Sequence, residues 1–184
     1  MKWSLRVGKV LGIDVFVHFT FLLLLVFLGF GYWQTTRRLD AALAGVAFTL
    51  ALFGCVFLHE LGHALMARRY GIRTHDITLL PIGGVARLER MPEKPAQEFW
   101  VAVAGPAVNV VIAALLGITI VATGGTLATE QLAQGGGPIL PRLLAVNVFL
   151  VAFNMLPAFP MDGGRVVRAA MAARLGRRRA TVIA

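Results

Sequence analysis

The sequence predicts an all-α polytopic membrane protein of about four transmembrane helices, with a short β-hairpin or re-entrant element between the second and third. Three observations lead there. Of 184 residues, 58% are hydrophobic and 15% charged, and the mean hydropathy of +0.75 exceeds that of ordinary soluble domains. Four segments are long or apolar enough to cross a hydrocarbon core, which takes about 20 helical residues at 1.5 Å rise each. The charged residues fall mainly between these segments.

The first segment, Val15 to Trp33, follows a basic start. It is too long for a signal-peptide core and no small-x-small cleavage site follows it, so it reads as a span. The second runs from Ala41 to Met66. After it, "GIRTHDITLLPIGGVARLERMPEKPAQE" mixes β-prone alternation with Pro81, Gly83 and Gly84. That stretch is too broken for a span and too apolar for a surface loop, which predicts a hairpin or re-entrant element over about residues 76–90. The third span, Phe99 to Val121, contains "AGPAVN", where Gly105, Pro106 and Asn109 suit tight helix packing and Asn109 is also placed to bond backbone freed by Pro106. A glycine-rich connection, "TGGTLATEQLAQGGGP", leads to the fourth, Ile139 to Met155. The whole, 1–184, reads as one transmembrane domain.

The formal charge of +9 argues for anionic lipid headgroups and topology, not nucleic acid, because no polar domain carries it. With the N-terminus inside, the inner segments hold 15 Lys and Arg and the outer ones only Arg37, Arg38 and Arg142. The positive-inside rule then sets the N-terminus, and the C-terminal ends of spans two and four, toward the cytoplasm. Trp3, Tyr32, Trp33 and Trp100 fall near the inferred interfaces, and the arginine tail "ARLGRRRA" reads as an inner anchor. Cys55, the single cysteine, reads as a small buried hydrophobe.

"LHELGHALM", at the inner end of span two, carries the chemistry. His59 and His63 are four residues apart and project from one helix face, suited to binding one zinc. Glu60 lies beside them, where its carboxylate reaches a zinc-activated water and passes the proton to a leaving amine. Polar residues in an apolar helix are costly unless paired or metal-bound, which weighs against a plain helix end. A catalytic zinc takes a third protein ligand. Of the nine acidic residues, Asp162 in "FNMLPAFPMDGGRVVRA" stands out: it follows span four on the inner side and precedes a Gly-Gly pair that permits close backbone approach. Its competing role is a helix N-cap, two roles not easily filled by one carboxylate.

"HELGH" and "NMLPAFPMDGGR", about a hundred residues apart and in this order, resemble the site-2 protease family of intramembrane zinc metalloproteases, as do "AGPAVN" and "PIGGVARLE". The resemblance covers most of the chain. It implies one zinc held by His59, His63 and Asp162, with Glu60 as general base and Asn154 orienting substrate or polarising the scissile carbonyl. Longer members with this second motif continue into two more spans and a pair of CBS domains. The implied substrate is another protein's transmembrane helix, cleaved in the bilayer; its peptide bonds must first be unwound. "ITLLPIGGVARL" offers a strand edge to hold it near Gly83 and Gly84, or those glycines simply make a turn. Pro157, Pro160, Gly163 and Gly164 suit a water-lined cavity. The rival reading is a membrane metal transporter using the same ligands, which requires further polar residues along the spans. An inactive scaffold would have lost Glu60 or a ligand. His18 reads as interfacial, and His75 has no partner by spacing.

Overall fold

The computed structural model describes residues 3–125 and 138–175. Within them the order is β1 (Ser4–Val10), β2 (Ile13–His18), α1 (Phe19–Thr36), α2 (Leu39–Arg69), β3 (Thr74–Leu80), β4 (Gly83–Leu88), α3 (Pro95–Ala122), α4 (Ile139–Asn154) and α5 (Asp162–Leu175). The protein is mostly helical, with a small sheet. Helices α1, α2 and α3, of 18, 31 and 28 residues, are long and apolar enough to cross a membrane. Helix α4 has 16 residues, and at 1.5 Å each reaches about 24 Å, short of a hydrocarbon core of about 30 Å. The glycine-rich connection over 126–137 and the arginine tail from 176 lie outside the described residues.

Two expectations need correction. The molecule is not all-α: four strands form one sheet in the order β1-β2-β3-β4. The first long helix begins at Phe19, not Val15: Ile13 and Val15 are buried while Asp14 and Phe16 are half-buried, the two-residue period of a strand. The β1–β2 hairpin turns through Leu11 and Gly12, both at positive φ (50° and 89°), as its tight two-residue connection demands. His18 ends β2 and caps α1, its Nδ1 accepting from the Thr20 N–H at 3.3 Å.

β3 and β4 form an antiparallel hairpin that turns at Pro81 and Ile82, so Gly83 and Gly84 open strand β4 instead of forming the turn. Asp76 pairs with Arg87 across this hairpin, Nε to Oδ2 at 2.9 Å, and the register sets the two residues opposite each other. β2 and β3 run parallel, since α1 and α2 carry the chain from one to the other.

The sheet covers the C-terminal half of α2. Ile13 and Ile77 from the sheet pack on Leu61 and Ala64 of α2, with Phe57, Leu65 and Ala86 around them. A second cluster, Ala67, Ile72 and Val101, joins α2 to α3. Burying the larger of these side chains, Ile13, Leu61, Ile77, Ile72 and Val101, stabilises the two junctions by roughly 1.5–3 kcal/mol per side chain. On its other side α2 meets α3 through Gly62, where a Cβ would stand 2.8 Å from the Ala104 carbonyl oxygen. Small residues permit this approach, and it aligns the faces that bear the polar groups. The Arg68 guanidinium donates to the Leu11 carbonyl at 3.0 Å, placing the β1–β2 turn beside the end of α2.

Candidate metal centre

Leu61 and Ala64 face the sheet, which turns His59 and His63 toward α3 and α5. Both histidines are buried, at 5% exposure, and Asp162 at 8%. The His59 and His63 Nε2 atoms lie 3.1 Å apart, and Asp162 Oδ2 is 3.2 and 3.1 Å from them. Among the described residues these three form a group able to hold a metal ion.

The donor chemistry fits a cation. His63 Nδ1 lies 2.6 Å from the Val101 carbonyl oxygen, so it carries the proton and leaves Nε2 as a bare lone pair. Asp162 presents an anionic oxygen, and His59 Nδ1 has no partner among the described residues. Lone pairs converging at about 3 Å repel unless a positive charge lies among them. Tetrahedral metal–ligand bonds of about 2.0–2.1 Å separate ligand atoms by roughly 3.3 Å, close to the spacing found.

The backbone makes room for the cluster. A Cβ on Gly105 of α3 would overlap His63 Nε2 and stand 2.7 Å from His59 Nε2. Gly105 thus serves packing, as its sequence context predicts, and what it packs against is the pair of imidazoles. A Cβ on Gly163 would collide with the Met155 and Leu156 carbonyls, so the glycine pair folds α5 tightly onto the loop after α4. Asp162 is the first residue of α5, where the helix dipole favours its negative charge, and it faces the histidines from there. Asp162 thus joins the cluster from inside the first turn of α5, one position past the N-cap role considered for it. Burial alone pushes the Asp162 carboxyl up, but when the imidazoles are protonated in place of a bound cation, their hydrogen bonds and charge outweigh burial and hold the group well below the usual carboxylate range. Arg165 Nη1 stands 3.6 Å from the other Asp162 oxygen. Arg168, further along α5, donates through Nε to the buried Glu98 carboxylate at 2.9 Å, anchoring that helix to α3.

A cavity of about 170 Å³ opens beside the cluster, lined by His59, Glu60, Gly83, Gly84, Asn109 and Asn154 among others. It brings together five of the seven site residues predicted from sequence, and the other two, His63 and Asp162, stand behind it in the cluster. Glu60 and β4 touch closely: a Cβ on Gly84 would lie 2.5 Å from Glu60 Cγ. Asn154 bonds its own helix, Nδ2 to the Leu150 carbonyl at 2.9 Å. Asn109, expected to bond backbone freed by Pro106, has no partner for either amide atom among the described residues. His75 and His18 stand outside the cluster. The Val101 carbonyl was illegible in sequence, because any residue type supplies one.

Apolar helices around a buried pair of histidines and an aspartate define a membrane protein with a metal-type cluster at its helix junction. The sequence matches the profile of peptidase family M50 over residues 47–138 and 126–184, and the chain belongs to that family. It is 37% identical to a zinc metalloprotease of Methanocaldococcus jannaschii over all of this chain and 50% of that protein. To a putative zinc metalloprotease of Synechocystis it is 37% identical over 91% of this chain and 44% of the relative. The chain thus spans about half the length of the curated relatives it matches. A solved structure, the site-2 protease from Methanocaldococcus jannaschii, superposes with a TM-score of 0.68 at 34% identity, covering 99% of this chain and 78% of that one.

Proposed function

We propose that this chain is the core, as one domain over 1–184, of an intramembrane zinc metalloprotease that cleaves peptide bonds within or near transmembrane segments of other proteins. The observation that carries the reading is the convergence of two imidazole nitrogens and one carboxylate oxygen within 3.2 Å of one another, with Glu60 at the adjoining cavity. His59, His63 and Asp162 would hold one zinc per chain. Bound there, zinc supplies Lewis-acid polarisation of a carbonyl and a water acidic enough to react near neutral pH.

The chain's own residues do the rest. Glu60 takes the proton from the attacking water and returns it to the leaving amine, a role that fits its place at the cavity wall next to His59. Asn154 lines the same cavity and orients the scissile carbonyl with the N–H left free by its bond to Leu150. β4 is an edge strand whose start, Gly83 and Gly84, borders the cavity. Its unpaired backbone groups bind an unwound substrate segment by strand addition, near the reacting atoms. The zinc site and N-terminus face the cytoplasm, as the Lys and Arg distribution directs. A metal transporter needs a succession of polar sites through the spans, and among the described residues the metal-type grouping is a single one.

The test reconstitutes the 184-residue chain in liposomes with a single-span substrate. Parent and Glu60→Gln should both carry about one zinc per chain, with cleavage in the parent alone. Equal cleavage by both would remove Glu60 from the mechanism. Asp162→Ala should lose zinc, and full occupancy in that variant would rule out the assigned third ligand.

A further inference from the structure

The chain has three asparagines, all in apolar helices, and they behave differently. Asn147 donates to Leu143 O at 2.8 Å and Asn154 to Leu150 O at 2.9 Å, each bonding its own helix four residues back. Asn109 is 0% exposed, yet neither Nδ2 nor Oδ1 has a partner among the described residues. A buried amide left this way is destabilising, and an apolar side chain of the same shape would relieve it. Its position explains the arrangement. Asn109 follows Gly105 by one helical turn on the same face of α3, and Gly105 is where α3 meets the two imidazoles. The Asn109 side chain therefore lines the cavity with His59, Glu60, Gly84 and Asn154.

We propose that Asn109 binds the main chain of the substrate, Nδ2 donating to a peptide carbonyl oxygen and Oδ1 accepting a peptide N–H. The inference rests on the protease reading and deepens it. An extended segment has hydrogen-bonding groups on both edges. Strand β4 meets one edge, while the other, which would be left bare in a low-dielectric site, reaches the amide offered from α3. A carboxamide is suited to this task because it presents one donor and one acceptor side by side, matching a peptide group. Recognition of this kind reads backbone and ignores side chains, so Asn109 contributes alike to substrates of different sequence, and it favours unwound segments over intact helices, whose peptide groups are already bonded.

The experiment uses the 184-residue chain in liposomes with two single-span substrates of unrelated sequence. Asn109→Leu keeps the shape and removes both hydrogen-bonding groups; Asn109→Ala carries the test if the leucine variant does not fold. The expected result is a fall in kcat/KM of about 10- to 100-fold for both substrates. Zinc content should stay the same, and the unfolding temperature should be unchanged or higher. Introduced into Glu60→Gln, which does not cleave, the same change should weaken substrate binding about 10-fold or more. Cleavage and binding both within about 2-fold of the parent would overturn the assignment, as would loss of zinc accounting for all lost activity. If the parent binds zinc but neither binds nor cleaves either substrate, the protease reading itself fails, a result distinct from an Asn109 change without effect.

Discussion

Gly105 of α3 lies flat against the His63 imidazole, so close that a methyl group on its Cα would occupy the space of Nε2. One hydrogen atom in place of a methyl thus decides whether two helices and a cation fit together. Gly105→Ala should cut zinc affinity at least about 10-fold, since ligand displacement has been costly at comparable sites. Gly117→Ala on the same helix, where a Cβ meets nothing within 4 Å, should bind zinc like the parent. A metal titration of both variants decides it; parental affinity in Gly105→Ala contradicts the packing described.

Gly84→Ala addresses the other wall of the cavity. Its Cβ would stand 2.5 Å from Glu60 Cγ and 3.3 Å from Val56, so either β4 or the carboxylate must shift. Zinc content should be retained, because none of the three cluster residues is touched, while kcat falls by about 10-fold or more as Glu60, the proposed general base, moves by an ångström. Lost zinc and lost activity in step would point to a general collapse instead.

Acid should release the metal. Asp162 is held well below the usual carboxylate range, so its folded form stays ionised and its contribution to stability is present above the unfolded carboxylate pKa of about 4, fading only as pH falls further. Metal binding to nitrogen ligands is itself in competition with protons and weakens as pH falls. Zinc retained at neutral pH should dissociate as pH drops toward about 5, followed by equilibrium dialysis. Full retention at pH 4 would mean that histidines do not supply the ligands.

The Arg168–Glu98 pair ties the helix bearing Asp162 to α3, with Glu98 almost wholly buried and Arg168 partly open. Arg168→Met alone leaves the Glu98 charge buried without a partner and should cost about 1–3 kcal/mol. Adding Glu98→Gln should restore much of the loss. Thermal unfolding in detergent compares the single and double variants, and additive losses would show that the two side chains are not coupled.

What the sequence discloses follows from how each interaction is encoded. Long apolar runs and the i, i+4 histidines are local patterns, which made α2, α3 and the His59/His63 pair legible. Asp162 emerged by elimination because the chain has few carboxylates, and its role at a helix start concealed nothing. The β1–β2 hairpin was missed because Val15 and Val17 merge into the apolar run of α1, and a two-residue period is hard to separate from helix over so short a stretch. The place of Gly84 against Glu60, and of Asn109 at the cavity, depends on contacts between elements distant in sequence. Nothing local in "PIGGVARL" or "AGPAVN" specifies them.

The parallel pairing of β2 with β3 carries a consequence for how the molecule is made. Asp14 to Val17 lie beside Asp76 to Leu79, and both membrane helices α1 and α2 are strung between them. The ladder cannot close on a growing chain until that helical pair has crossed the bilayer and returned. Because the sheet braces Leu61 and Ala64 from behind, the histidines gain their final aim only after that return. Asp162 is synthesised later still. A ribosome-bound intermediate with both histidines already translated therefore lacks the third member of the cluster and holds no complete metal-type centre.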